Sequence, residues 1–299
     1  MSGQLPYDPA AEGAETSFEA RMAYGDYLHL DEILGAQKPL TRAHDEMLFI
    51  VQHQVSELWM RLAIHEIDAA RRAVAGGAVQ PAFKMLSRVA RIFEQLNNAW
   101  DVLRTMTPSE YTRFRGELGQ SSGLQSWQYR QIEFMVGNRN RAMLRPHVHQ
   151  PDILALLEGE LLRPSLYDEA LRFLSRNGVA VPRASLERDL SSAYEMSDGV
   201  VAAWRIVYEA PETHWPLYEL AEKLSRFRGL FPPLAIQSRH NRRARHRLQA
   251  RHGRHQRGQL SQTHARSRTF PRAVAGEDDT IGAASPMPGR LGNRERLRQ

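Results

Sequence analysis

Cysteine is absent from the 299 residues of this sequence, and its absence excludes several kinds of site. Without it no disulfide, thiolate metal site or cysteine nucleophile can form, and a cysteine-free chain fits a reducing compartment. The first residues also lack the basic start and apolar run of a secretory signal. No apolar run reaches the roughly 18 residues that a membrane helix needs. We therefore expect a cytoplasmic protein with no membrane segment.

Acidic residues are scarce near the C-terminal end, and this scarcity separates two compositions. Residues 225–299 hold 17 arginines, no lysine and 4 acidic residues, whereas residues 1–224 hold 23 basic and 30 acidic residues. The net charge of +6 therefore combines −7 before the boundary near Leu224 with +13 after it. We predict a mobile N-terminus at 1–15, a helical body at 16–224 and an Arg-rich tail at 225–299.

Apolar residues recur at helical spacing through the body, and no convincing strand pattern or internal repeat is present. We expect Thr41 to cap the second helix, and Thr107, Pro108 and Glu110 to form a capping box at the start of another. The fold class is therefore all-α. The start and stop signals predict helices at 17–34, 43–74, 81–106, 107–115, 124–136, 152–161, 167–176, 185–207 and 213–224.

One stretch, MLFIVQHQVSELW at 47–59, is apolar on nearly every side, although polar groups lie within it. A helix that is hydrophobic all round is buried, and its polar groups then need partners. Phe49 and His53 are four residues apart and share a face. They could hold a flat ligand with a polar edge, or His53 could be an ordinary core histidine satisfied by a neighbour. The stretch alone leaves both interpretations open.

A second polar spot lies in the stretch TPSEYTRFR, where Tyr111 and Arg115 share a helical face. A guanidinium can donate two parallel hydrogen bonds to a carboxylate, so the pair could clamp an acidic ligand. Equally, Arg115 could pair with Glu110 or Glu117 on a solvated surface. His65-Glu66 lacks the second histidine of a metalloprotease motif, and no phosphate-binding glycine loop is present. The residues alone do not define a reaction.

Four stretches taken together resemble the tryptophan 2,3-dioxygenases, and the resemblance covers about residues 16–224. They are YGDYLHLDEILGAQKPL at 24–40, HDEMLFIVQHQVSELWMRLAIHE at 44–66, TPSEYTRFR at 107–115 and SSGLQSWQYRQIEFMVGN at 121–138. The resemblance implies a haem-dioxygenase helical bundle that assembles as a homotetramer. It also implies haem b as cofactor and the conversion of L-tryptophan and O₂ to N-formylkynurenine, with neither a membrane nor a nucleic acid as partner.

The resemblance also assigns roles to single residues. It implies that Phe49 packs on the indole ring and that His53, the catalytic candidate, positions the ring through its N–H. It implies that Arg115, with Tyr111 beside it, binds the carboxylate. The other residues carried over are Ile50, Val51 and Gln52 lining the substrate pocket, Trp100 and Ser122 beside the haem, and Tyr24, Tyr27 and Leu28 reaching a neighbouring subunit's site.

The resemblance stops where the composition changes. Clustered arginines invite a nucleic-acid-binding interpretation, but the tail has no lysine and almost no aromatic residues for stacking. A shifted reading frame explains it better. Plausible codons for the family's tract F-R-R-W-R-F-N-H, read one base earlier, give Phe-Pro-Pro-Leu-Ala-Ile-Gln-Ser, which stands here at 231–238. The same shift can be followed to Gly253.

The shift removes the residue that the resemblance implies as proximal iron ligand. Its histidine codon is read across Ser238 and Arg239, and nearby His240 arises from the wrong frame, so the metal ligand of this chain is unknown. We expect residues 225–299 to be disordered, because they combine few apolar residues with high net charge. We also expect this polypeptide to be inactive. An inactive helical scaffold, or a nucleic-acid-binding protein using the basic tail, is the alternative.

Overall fold

The computed structural model describes residues 8–19 and 21–230, with side-chain environments up to residue 226. Every regular element in this part of the chain is helical, which confirms the predicted all-α class. None of these helices is long and apolar enough to cross a bilayer. The α-helices are α1 Tyr24–Leu28, α2 Leu30–Leu34, α3 His44–Ala75, α4 Val79–Leu103, α5 Pro108–Arg115, α6 Trp127–Val136, α7 Pro151–Leu162, α8 Leu166–Arg176, α9 Arg183–Leu186, α10 Asp198–Glu209 and α11 Trp215–Leu230.

Helices α3 and α4 form the centre of the body. The tight turn at Gly76 and Gly77, where Gly77 has φ +81°, returns the chain so that α4 packs back along α3. Helices α6 and α8 pack against α3, and α11 packs against α4. Their apolar faces meet in one core in which Ile67 and Phe93 are fully buried. The bounds predicted for α3 and α4 agree with those observed to within about three residues.

The predicted helix over 17–34 was wrong in its continuity. Two five-residue helices, α1 and α2, stand there instead, separated by His29 in the left-handed conformation at φ +52°. A left-handed non-glycine residue ends a right-handed helix, and no glycine or proline marks this break in the sequence. Both helices lie at the surface, with Tyr24 75% and Tyr27 72% exposed.

The predicted cap at Thr41 was also wrong. The N-cap of α3 is Ala43, which makes no side-chain cap. Thr41 instead donates its hydroxyl to the buried carboxylate of Glu46 at 2.6 Å, and Glu46 also accepts from the main-chain N–H of Leu40 and Thr41. These hydrogen bonds, the Thr41 hydroxyl above all, lower the pKa of Glu46. A buried carboxylate therefore anchors the chain entering α3.

The first half of α3 is less buried than its composition predicts. Met47, Val51, Val55 and Leu58 follow one another at three- and four-residue spacing, and all four are exposed. They form an apolar stripe on the outer face of the helix. The interpretation of 47–59 as a fully buried helix was therefore wrong for this face, because an apolar pattern cannot distinguish burial within one chain from burial against another.

The second half of α3 buries charge as well as apolar surface. Arg71 forms an ion pair with Glu160 of α7, and both side chains are almost completely buried. Arg71 also contacts Asp68 at 2.6 Å, and Arg139 donates to the main-chain oxygen of Glu160 at 2.6 Å. Buried charges persist where they are paired and hydrogen-bonded, and these pairs tie α3 to α7.

The predicted helix over 185–207 is two helices, α9 and α10, separated by a turn in which Asp189 accepts from the hydroxyls of Ser191 and Ser192. Such local hydrogen bonds compete with a helix. Helix α11 continues past the predicted boundary at Leu224 as far as Leu230. The rest of the predicted tail, with Ser238, Arg239 and His240, lies outside the described residues, as do the first residues of the predicted mobile N-terminus.

Candidate active site

Aromatic rings from α3, α4 and α5 meet beside the first half of α3. The rings of Phe49 and His53 lie 4.2 Å apart, and Trp100 of α4 meets His53 edge-on at 6.2 Å. From α5, Tyr111 approaches Phe49 at 5.9 Å and Phe114 approaches it at 5.5 Å. The rings that meet here include Phe49, His53, Trp100 and Tyr111, all of which were site candidates in the sequence. They come from three helices and lie together in the structure.

The hydrogen bond of His53 determines which of its nitrogens can accept. Nδ1 lies 2.7 Å from the main-chain oxygen of Phe49, one turn earlier on α3. A carbonyl oxygen only accepts, so Nδ1 carries the proton, and in the neutral ring Nε2 is left as an acceptor. The family resemblance implies a positioning histidine and leaves its tautomer open. The geometry makes Nε2 the atom able to accept from a ring N–H.

Helix α5 begins at the capping box predicted from the sequence. Thr107 is the N-cap, Pro108 opens the helix, and the carboxylate of Glu110 accepts from the main-chain N–H of Thr107 at 2.7 Å. The hydrogen bond from the Thr107 hydroxyl is the main reason that the pKa of Glu110 is lowered. Because Glu110 is engaged in this way, it is not the partner of Arg115.

Arg115 closes α5, one turn after Tyr111. Its Nη1 donates to the main-chain oxygen of Gly119 at 2.9 Å. It has no carboxylate partner among residues 8–19 and 21–226, so neither of the ion pairs weighed for it, with Glu110 or with Glu117, is formed. Its guanidinium thus retains donors for an acidic ligand.

The residues between Phe49 and His53 do not all face the same way. Val51 is two residues beyond Phe49, about 200° round the helix, and belongs to the exposed stripe. Ile50 is half-buried, and Gln52 is buried with no partner for its Nε2. The structure brings Phe49 and His53 together with the α5 residues and leaves Val51 on the opposite side.

Two residues were expected beside a haem. The indole Nε1 of Trp100 is buried and has no hydrogen-bond partner among the described residues. The side-chain Nε2 of Gln52 is likewise buried and without a partner there. Unsatisfied buried donors are costly, and each suits an acceptor supplied by a bound group, such as the propionate carboxylates of haem. Ser122 is exposed and caps a short 3-10 turn, accepting weakly from Leu124 N–H at 3.4 Å. The fit to haem therefore rests on Trp100 rather than on Ser122.

An axial iron ligand is not identified. Within the described part of the chain, no group of three or more histidine, aspartate or glutamate side chains could hold a metal ion. Haem iron needs only one protein ligand, commonly histidine, so this finding leaves its identity where the sequence analysis left it.

Two features of the site escaped the sequence analysis. Phe114 is fully buried and packs edge-on against Tyr111 at 5.5 Å as well as against Phe49, so it fixes both rings. Its position three residues after Tyr111 was the available signal. The second feature is the Gly119 carbonyl that holds Arg115, and no sequence pattern indicates a side-chain bond to a particular main-chain oxygen.

A separate depression of about 520 Å³ lies further along α3. None of the residues proposed for the substrate or the haem lines it. Its polar lining includes Arg61, His65 and Asp68 of α3, with Arg163 from the end of α7. The aromatic cluster and this depression are therefore distinct places on the same helix.

Comparison with known proteins extends over the whole helical body. A family model described as Tryptophan 2,3-dioxygenase matches residues 9–214. The tryptophan 2,3-dioxygenase of Bradyrhizobium diazoefficiens is 68% identical over 225 residues, which is 75% of this chain and 81% of the relative. The enzyme of Ruegeria pomeroyi is 58% identical over 73% of this chain and 78% of its own length. That of Bordetella parapertussis is 56% identical over 74% of this chain and 78% of its own.

Proposed function

The chain belongs to the tryptophan 2,3-dioxygenase family of oxidoreductases, and from this premise we propose how its residues take part in the reaction. The substrates that the family name implies are L-tryptophan and O₂, and the product is N-formylkynurenine. The observation that carries the proposal is the Phe49–His53 pair, which places an aromatic face and an acceptor nitrogen side by side.

The substrate's two ends are recognised by different helices. Phe49 packs on the indole face, and Nε2 of His53 accepts the indole N–H, so that the ring can take only one orientation. Ile50 and Gln52 complete the α3 wall, whereas Val51 contributes least because it lies on the exposed face. Arg115 of α5 donates to the carboxylate, with Tyr111 beside it. Fixing a reactant at two separate points converts binding energy into orientation.

His53 acts in this proposal by holding the indole rather than by removing a proton. Its Nδ1 keeps the proton that it donates to the Phe49 carbonyl oxygen, so Nε2 keeps its lone pair towards the indole N–H. Because the haem would supply the activation of O₂, His53 is not needed as a general base in this proposal. Phe114 supports both Phe49 and Tyr111 by packing against each ring at 5.5 Å.

The cofactor of this proposal is haem b. When bound, its iron supplies the binding and activation of O₂, which no side chain of the cluster can do. Trp100 Nε1 would donate to a propionate, since it is a buried donor in need of an acceptor. Ser122 would contact the same edge through the loop that it caps. The proximal ligand stays unknown.

The homotetramer and the cytoplasmic location belong to the same proposal. Two apolar surfaces support assembly: the stripe of Met47, Val51, Val55 and Leu58 on α3, and the tyrosines of α1. Contiguous exposed apolar patches mark surfaces that bind other chains. Tyr24, Tyr27 and Leu28 would then reach a neighbouring subunit's site, and light scattering of the purified chain measures the assembly directly.

The Arg-rich tail is part of the proposal too. We infer that residues from about 225 are out of frame and that the chain as written lacks its proximal ligand and is inactive. The change from a net charge of −7 to +13 supports this, and the relatives' matches cover only about three quarters of the chain. Resequencing the codons for Lys223 to Arg228 tests it, because removing an extra base found there should restore the family's tail. An unaltered sequence together with haem retention and formylkynurenine production would overturn it.

The binding experiment compares L-tryptophan with 1-methyl-L-tryptophan, which lacks the indole N–H. Isothermal titration of the full chain supplied with haem should show L-tryptophan binding about tenfold tighter, the value of roughly one good hydrogen bond. In His53→Ala the preference should vanish. His65→Ala is the matched control, because His65 is an exposed histidine of the same helix, away from the cluster. A preference retained by His53→Ala would contradict the proposed role.

A further inference from the structure

Arg115 and Gly119 form a closed local unit at the end of α5. Arg115 is the last residue of the helix, and its Nη1 donates to the Gly119 oxygen at 2.9 Å. The turn between them is closed by the hydrogen bond from Gly119 N–H to the Gly116 oxygen at 3.2 Å. Gly119 has φ +53°, in the left-handed region that glycine adopts without strain. The carbonyl that holds the arginine therefore belongs to a residue whose conformation disfavours a side chain.

The contact uses one end of the guanidinium and leaves one edge available. Arginine has five N–H donors in a rigid plane, and the edge formed by Nε and Nη2 matches the two oxygens of a carboxylate. That edge has no partner among the described residues. A guanidinium already fixed at Nη1 loses less rotamer freedom when a carboxylate arrives.

We propose that Gly119 is a positioning residue for substrate recognition: its left-handed conformation presents the carbonyl that orients Arg115 towards the carboxylate of L-tryptophan. The inference rests on the proposed function and adds to it a residue that never touches the substrate. The competing explanation is structural, since arginines near helix ends often satisfy free carbonyls and thereby only stabilise the turn. The two explanations differ in what a substitution at Gly119 does to carboxylate binding.

The chain offers a matched control three residues away. Gly116 lies in the same loop with φ −60°, in the right-handed region open to any residue. A methyl group added at Gly116 or at Gly119 would meet no atom within 4 Å. Alanine at either position therefore fits sterically, and only at Gly119 does it strain the backbone. Asparagine tolerates the left-handed region better than alanine and serves as the rescuing variant.

The test compares L-tryptophan with tryptamine, which lacks the carboxylate, by isothermal titration of the full chain supplied with haem. We expect Gly119→Ala to weaken L-tryptophan binding about fivefold to tenfold while tryptamine is unchanged. Gly119→Asn should recover most of the loss, and Gly116→Ala should match the parent chain. If Gly119→Ala leaves the ratio of the two affinities unchanged, or weakens both ligands alike, the positioning role is wrong.

A second readout separates this inference from the proposed function. In ¹⁵N spectra of arginine side chains, a guanidinium held by a carbonyl shows slowed rotation and resolved Nη signals. We expect resolved signals for Arg115, assigned with Arg115→Lys, in the parent chain and in Gly116→Ala, and averaged signals in Gly119→Ala. If L-tryptophan does not bind the parent chain, the proposed function fails, and these spectra alone decide whether Gly119 orients Arg115. Averaged signals in the parent chain would overturn the inference.

Discussion

The two halves of α3 share one helix but are stabilised in different ways. From Met60 to Val74 the helix is buried on several sides, and Arg71 is paired with Glu160 in the interior. From Met47 to Leu58 it has an exposed apolar stripe on one side and the aromatic cluster on the other. The first region depends on tertiary packing, whereas the second depends on local hydrogen bonds and on ring contacts with α4 and α5.

This difference shows how a functional site can be attached to a stable scaffold. The buried half holds α3 in place against α4, α6 and α8, so the site half can keep unsatisfied donors and exposed apolar surface. Unsatisfied donors and exposed apolar side chains lower stability, and they are tolerated here because the packing of the buried half offsets that loss. Substitutions in the buried half should therefore change stability, and those in the site half should change binding or assembly.

The largest effect is expected at the buried ion pair. Arg71→Met removes the nearer cation from Glu160 and leaves the buried carboxylate with the longer contact to the exposed Arg163 at 3.6 Å, which should cost about 3 to 5 kcal/mol of unfolding free energy. Urea denaturation measures it. Adding Glu160→Gln should restore part of the loss, because the uncompensated charge disappears. If the losses of unfolding free energy in Arg71→Met and Glu160→Gln simply add in the double variant, the ion pair is not the reason for the destabilisation.

A packing substitution distinguishes the halves directly. Ile67→Ala empties a fully buried position and should cost about 3 kcal/mol. Leu58→Ala, at a position that is 54% exposed, should change the unfolding free energy of the monomer by less than about 0.5 kcal/mol. Leu58→Ala should instead weaken assembly as seen by light scattering. Equal destabilisation by the two variants would mean that the stripe is buried within its own chain.

The stability of the buried part should depend on pH through Glu133. Burial raises the pKa of this α6 carboxyl to about 6, against 4.5 for the free group. The folded chain therefore holds this proton more tightly, so the contribution of Glu133 to stability is fully present below pH 4.5 and is lost as pH rises through 6. The stability lost is about 2 kcal/mol, because the pKa rises from 4.5 to about 6 on folding and each pKa unit corresponds to about 1.4 kcal/mol. Glu133→Gln should remove this slope from denaturation curves taken between pH 4.5 and 7.5, and an unchanged slope would assign it to other groups.

The smallest effect concerns the local hydrogen bonds of the site half. Thr107→Ala removes the capping box at the start of α5 and should cost about 1 kcal/mol. It should also weaken L-tryptophan binding modestly, because α5 presents Tyr111 and Arg115. Thr112→Ala, whose hydroxyl donates to the Ser109 oxygen within the same helix, is the control. A loss as large as that of Ile67→Ala would show that α5 is part of the core rather than an attachment to it.

The sequence was sufficient to predict the features that depend on near neighbours. The capping box of Thr107, Pro108 and Glu110 is present, and α3 and α4 begin and end close to their predicted residues. Phe49 and His53, four residues apart on α3, also share a face as expected. These agreements have a common cause, since caps and helical faces are determined within one or two turns of chain.

The failures concern features that residue types alone do not determine, even at short range. The break at His29 depends on a left-handed residue with no turn former beside it, and the Thr41 prediction missed that a carboxylate three residues inside α3 would take the hydroxyl. The exposed stripe of α3 looked like core because hydrophobicity does not identify the surface that covers it. The Gly119 carbonyl on Arg115 depends on a main-chain direction that residue types do not encode.

The acceptor that fixes the tautomer of His53 is a main-chain oxygen, and this makes the ring's protonation pattern unusually resistant to mutation. Every amino acid placed at position 49 would offer the same oxygen, so the aromatic wall can be altered without exchanging the imidazole nitrogens. The shape of the aromatic wall and the choice of acceptor nitrogen on His53 can therefore change independently of each other. A pocket built in this way can change which ring it admits while keeping the same demand for an N–H on that ring.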